Sequence, residues 1–125
     1  MVITGFYAGI LALIFLVLSM RVVMLRISSQ TQYGDGGNEI LLRRVRIHGN
    51  FAEYIPLALI LMAILDYQNL SVTLLHFFGI TLVVGRLLHA FALTNGVTAL
   101  RAIGVVATIA VIAIEAILAI MHFVL

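Results

Sequence analysis

The first twenty residues, Met1 to Met20, contain no charged side chain. A stretch of that length crosses a bilayer core of about 30 Å as a helix. Composition extends the constraint to the whole chain: 64% of its 125 residues are apolar and 10% are charged, with a mean hydropathy of +1.24. A soluble domain has about 45–50% apolar and about 25% charged residues. At roughly 20 residues per span, one domain of this length holds no more than about four or five membrane-spanning helices. Large soluble catalytic domains, nucleotide-binding folds, and collagen-like or disordered chains are excluded.

The expected organisation is all-α: one integral-membrane four-helix bundle over residues 1–125. No basic region precedes the first apolar run and no small-residue cleavage site follows it, so the first helix reads as a retained span at about 3–26, ended by Arg21 and Arg26. The polar run from Ser28 to Glu39 is a loop. Asn38 suits a helix cap and Glu39 a first turn, opening a second helix at about 39–65. Asp66, Gln68, Asn69 and Ser71 form a turn. A third helix covers about 72–93, Thr94-Asn95-Gly96 a second turn, and a fourth helix about 98–123. Helices satisfy their own backbone hydrogen bonds in lipid, and the glycines within them let neighbours approach closely.

All seven basic residues are arginine, and the chain has no cysteine. Any thiol chemistry must therefore use a thiol brought by a substrate. Arg26, Arg43, Arg44 and Arg46 flank the first connection and Arg101 follows the third, whereas the second connection and both chain ends lack arginine and lysine. The positive-inside rule then places the first and third connections in the cytoplasm and both termini away from it.

The segment Arg43-Arg44-Val45-Arg46-Ile47-His48-Gly49-Asn50-Phe51-Ala52-Glu53-Tyr54-Ile55-Pro56 is the most informative. At about 100° per residue, Arg46, Asn50 and Glu53 form one stripe, with Arg43 beside it. Charge near the centre of a spanning helix costs about 2.5–3.5 kcal/mol on insertion scales, so the stripe should face a helix, water or a ligand. The plainest reading is an internal ion pair between Arg46 or Arg43 and Glu53. Against it, one acid cannot neutralise several arginines, which leaves positive charge for an anionic guest. Pro56 also frees a carbonyl near Ala52, for packing or for a ligand.

Arg86 and His89 share a face of the third helix. Arg86 either joins the site or snorkels to the headgroups, and His89 read alone is a packing residue. Arg101 opens the fourth helix as an anchor or a functional cation. Glu115, deeper in that helix, is either paired or protonated. Nothing in the sequence suggests a metal site, a phosphate-binding loop or a nucleic-acid-binding patch.

With these residues the chain resembles the membrane-associated proteins in eicosanoid and glutathione metabolism. Arg46-x-x-x-Asn50-x-x-Glu53-Tyr54-x-Pro56 is similar to the second-helix signature of the leukotriene C4 synthase branch, and Gly85-Arg86-x-x-His89 to the third-helix signature of the prostaglandin E synthase branch. The loop from Tyr33 to Gly37 looks like that of the small bacterial members, which implies a multi-pass protein of a bacterial inner membrane. The resemblance further implies a homotrimer that binds glutathione, as co-substrate, between subunits near the cytoplasmic face. Arg46 and Asn50 would then hold carboxylate and backbone groups and Glu53 the ammonium. Arg26 would reach in from a neighbouring subunit, and Arg86 and His89 would line the same cavity. Arg101 would be the catalytic residue, favouring the thiolate as a nearby cation does.

Gly49, Leu93 and Ala102 stand where the prostaglandin branch has arginine, tyrosine and serine. These departures imply a general glutathione transferase or peroxidase acting on lipophilic electrophiles dissolved in membrane lipid. Two alternatives stand beside it: a non-catalytic lipid- or glutathione-binding protein of the same fold, and a small proton-coupled exporter. Such exporters carry an acid in helix one, which here is uncharged up to Arg21.

Overall fold

A computed structural model describes residues 1–124, apart from the side chain of Phe123. Four helices follow one another: α1 (Val2–Ser28), α2 (Glu39–Tyr67), α3 (Val72–Asn95) and α4 (Thr98–Val124). At 1.5 Å per residue even the shortest, α3, is about 36 Å long, enough to cross the hydrocarbon core. All four are apolar enough to span a membrane.

Local chemistry sets the helix ends. Asn38 sits in an extended conformation and its side chain accepts from the Ile40 and Leu41 amides at the start of α2. Ser71 does the same for the Leu74 amide of α3. These are N-caps, each satisfying donors that have no partner inside the helix. Gly96 ends α3 with a left-handed backbone, φ 73°, and its N–H donates to the Ala92 carbonyl, a conformation that glycine adopts without steric cost. The start of α1 is capped from a distance. The Asp66 carboxylate, in the last turn of α2, accepts from the Thr4 amide and the Thr4 hydroxyl, both at 2.9 Å. A negative group is favourable at a helix N-terminus.

Helices α2 and α3 form the middle of the bundle. α1 packs on both, α4 packs on both from another side, and among the described residues the α1 and α4 backbones do not come close to each other. Leu11, Ile47, Phe51, Ile55, Ala58, Met62, Phe78, Leu82 and Val111 belong to a continuous buried core. Large apolar side chains such as Leu13, Ile60, Phe77 and Ile117 face outward, as expected where lipid is the surroundings. Lipid tails are as apolar as leucine, so close packing and hydrogen bonds hold such a bundle together. Two glycine contacts make the packing close. Gly79 lies against the Tyr7 ring, where any Cβ would collide, and a Cβ on Gly104 would stand 2.6 Å from the Gly85 carbonyl oxygen.

Polar contacts add specificity to the helix pairs. Tyr7 and His76 share a hydrogen bond of 2.8 Å between α1 and α3. His48 bonds the Ser19 hydroxyl at 3.0 Å and stacks on Phe15, with ring centroids 4.7 Å apart. Arg44 donates to the Arg21 carbonyl at 2.9 Å. These side chains join helices and are spent on that contact.

Candidate functional site

At the end of the bundle that carries the first and third connections, three helices open a cavity of about 130 Å³. Arg46 and Asn50 of α2, His89 and Leu93 of α3, and Arg101 of α4 line it. Arg46 and Asn50 come together because they are one helical turn apart, and His89 and Leu93 for the same reason. α3 runs on through Thr94 and Asn95, which the sequence assigns to the turn. The link to α4 is therefore only Gly96 and Val97, and the first turn of α4, with Arg101, closes the space.

The lining is positive. Arg46 and Arg101 have no ion pair among the described residues, and no carboxylate lines the cavity. His89 is 3% exposed and both its ring nitrogens are buried without a hydrogen-bond partner. Buried polar atoms are nearly always bonded, so these two orphans beside two free guanidinium groups point to a polar guest. A second cavity, of about 110 Å³, shares Arg101 and Leu93 and adds Arg43, Val97 and Thr98 at the N-terminus of α4.

Arg86 lies behind this cavity. It is 2% exposed, which rules out snorkelling to the headgroups. Its Nη1 donates to the Asn50 side-chain oxygen. Its Nη2 donates to the Gly104 carbonyl at 3.0 Å and to the Thr108 hydroxyl at 2.7 Å. The Thr108 hydroxyl itself donates to the Gly104 carbonyl at 3.0 Å. One guanidinium thus ties α2, α3 and α4 together, with no carboxylate among the described residues to balance its charge.

The profile of the MAPEG family, the family of the resemblance above, matches residues 4–121, nearly the whole chain. The chain belongs to the MAPEG family. Two MAPEG-like relatives are the inner membrane protein YecN of Escherichia coli strain K12 and its counterpart in strain O6:H1. Each is 36% identical over 105 residues, covering 84% of this chain and 80% of the relative. No solved structure matches the chain significantly. Membership fits the four spans, and this MAPEG protein is a multi-pass membrane protein with inner membrane relatives.

Of the residues singled out in the sequence of this MAPEG chain, the fold gathers Arg46, Asn50, His89 and Arg101 in one cavity. Arg86 contacts that group through Asn50 without lining the space. Glu53 is exposed on α2 and pairs with no arginine among the described residues. The acid that Arg43 meets is Glu39, at 2.6 Å, one turn away. Arg26 stands apart from the cavity and closes its own loop, donating to the carbonyls of Thr31, Gln32 and Gly34 at 3.3, 3.4 and 2.8 Å. Glu115 is fully buried with both carboxyl oxygens unpartnered, so no basic group pairs with it among the described residues. α2 continues through Pro56, which with Ala52 lines an apolar groove of about 290 Å³ on the α1 side. In the sequence Gly104 reads only as a glycine that lets helices approach closely, and Thr108 is not singled out. The available signal was one turn of α4 carrying a small residue and a hydroxyl, opposite Gly85 and Arg86.

Proposed function

We propose that this protein is a membrane-bound glutathione transferase or peroxidase. The observation that carries the reading is the cavity lined by Arg46, Asn50, His89 and Arg101, a space with two unpaired guanidinium groups, two unpartnered imidazole nitrogens and no acid. Glutathione brings two carboxylates and, when ionised, a thiolate, which suit the two guanidinium groups and the one imidazole nitrogen that can donate. Arg101 favours the thiolate, because a neighbouring cation stabilises the charged form.

In the transferase reaction the thiol proton passes to solvent and the thiolate attacks a lipid-dissolved electrophile. With an aryl chloride the S–C bond forms as the C–Cl bond breaks, and chloride leaves.

The cavity of one chain is small for a whole tripeptide, and the remaining groups expected to hold it face outward. Glu53 and Arg46 are both exposed on α2, a costly arrangement in a spanning helix unless something covers them. A homotrimer that places a neighbour's surface there would complete the site, with Glu53 taking the glutathione ammonium and Arg26 approaching from the adjacent copy. The arginine distribution orients this end toward the cytoplasm, where glutathione is supplied.

The test is isothermal titration of glutathione into detergent-solubilised protein, with conjugation to a chloronitrobenzene measured in parallel. Saturable binding weakened by Arg46→Ala, and turnover lost in Arg101→Ala, support the reading. Binding without turnover makes the protein a non-catalytic member of the same fold. Absence of binding removes glutathione as the guest.

A further inference from the structure

Asn50 divides its side chain between two neighbours. An arginine side chain has only donors, so the atom of Asn50 that meets Arg86 Nη1 is its carbonyl oxygen. The amide NH2 is then the group Asn50 has left for the cavity it lines. The other branch of the same guanidinium holds the Gly104 carbonyl and the Thr108 hydroxyl. Gly104 is three residues after Arg101, one turn along α4, so this grip also fixes the helical turn from which Arg101 reaches the cavity. Gly104 has no room for a side chain, because a Cβ there would meet the Gly85 carbonyl oxygen and the His89 backbone nitrogen.

We propose that Arg86, Thr108 and Gly104 form a positioning latch outside the ligand cavity. The latch turns the Asn50 amide inward as a donor and holds Arg101 at the cavity wall, so that the space stabilises an anionic guest such as a thiolate. Thr108 is the residue on which the latch closes: its oxygen accepts from Arg86 and its proton goes to Gly104. Neither Thr108 nor Gly104 lines the cavity, so their influence on a guest runs through Arg86, Asn50 and Arg101. As far as the guest is glutathione, the inference rests on the function proposed above. The latch itself is a statement about the potential inside the cavity and can be read without any ligand.

The chain has no cysteine, so a thiol introduced by Leu93→Cys, at a position lining the cavity, is the sole reporter. Its titration is followed as the pH profile of capture by iodoacetamide in detergent-solubilised protein. In the otherwise unaltered chain the midpoint is expected at least about one pH unit below the ordinary thiol value of about 8.5. Adding Thr108→Val, which keeps shape and removes the hydroxyl, moves the midpoint back up by about half a pH unit or more. Thr108→Ser leaves it in place. Arg86→Lys keeps the charge and loses the fork that spans Asn50 and Gly104, and also moves the midpoint upward.

A midpoint unchanged by Thr108→Val overturns the latch, as does Thr108→Ser behaving like Thr108→Val. An unchanged midpoint in Arg86→Lys overturns it too, since charge alone then suffices. Circular dichroism of each variant checks that the helices are intact. Glutathione titration of Thr108→Val, with Leu93 restored, is the second arm, and about a tenfold weaker Kd than the unaltered chain is expected. If the unaltered chain binds no glutathione while the thiol midpoints shift as stated, the functional reading fails and the latch stands.

Discussion

Arg86 on α3 and Asn50 on α2, thirty-six positions apart, meet through a guanidinium-to-carbonyl hydrogen bond. The bond connects a fully buried cation to a residue that lines the positive cavity. Removing the acceptor by Asn50→Ala leaves that donor unsatisfied, at a cost of about 1–3 kcal/mol. A lower thermal midpoint in detergent, together with weaker glutathione binding, is the expected result. An unchanged midpoint would mean that the bond contributes no net stability.

Arg101 lines the cavity, and among the described residues its guanidinium has no ion pair. Arg101→Ala is expected to slow glutathione conjugation by about a hundredfold or more, the scale seen when a group that stabilises developing negative charge is removed. Glutathione affinity should fall by less than about tenfold, because Arg46 and Asn50 remain. A comparison of kcat with Kd in the same preparation separates the two effects. Loss of binding with unchanged kcat would assign Arg101 to holding the tripeptide.

The approach of α3 and α4 depends on Gly104. Gly104→Ala puts a methyl group 2.6 Å from the Gly85 carbonyl oxygen and 3.1 Å from His89, and overpacking of this kind costs about 1–3 kcal/mol. Gly5→Ala, with nothing within 4 Å of the new methyl, should leave the unfolding midpoint where it is. Equal midpoints for the two variants would refute a tight α3–α4 seam.

Glu115 lies at full burial with no partner for either oxygen among the described residues. An unpaired ion at that depth carries a penalty of several kcal/mol, so the neutral amide of the same shape should be tolerated. Glu115→Gln is expected to keep the stability within about 0.5 kcal/mol of the unaltered chain, the usual range for an innocuous substitution, and so to leave the thermal midpoint nearly unchanged. Glu115→Lys should abolish folding. A strong loss in Glu115→Gln would show that the carboxyl has a partner supplied from outside this chain.

The four spans were legible because lipid imposes a simple rule on sequence: about twenty apolar residues, broken by polar turns, must close their own hydrogen bonds. Asn38, Ser71 and Gly96 marked helix ends through local chemistry that acts over one turn. The α2 stripe was legible for the same reason, since positions three and four apart share a face whatever lies opposite. Across helices the sequence is silent. Charge alone made Arg43 or Arg46 a partner for Glu53, but the fold directs Arg43 to Glu39 and leaves Glu53 outward. The family resemblance implied that Arg86 lines the cavity, which the sequence alone left open, yet that side chain is consumed by Asn50, Gly104 and Thr108.

Composition and periodicity alone therefore determined that this chain crosses a membrane four times and that its few charges gather mainly at one end. The tertiary structure decided which arginines are free and which are spent. That choice depends on the rotation and closeness of helices whose contacting residues lie tens of positions apart, set by packing at Gly79, Gly85 and Gly104.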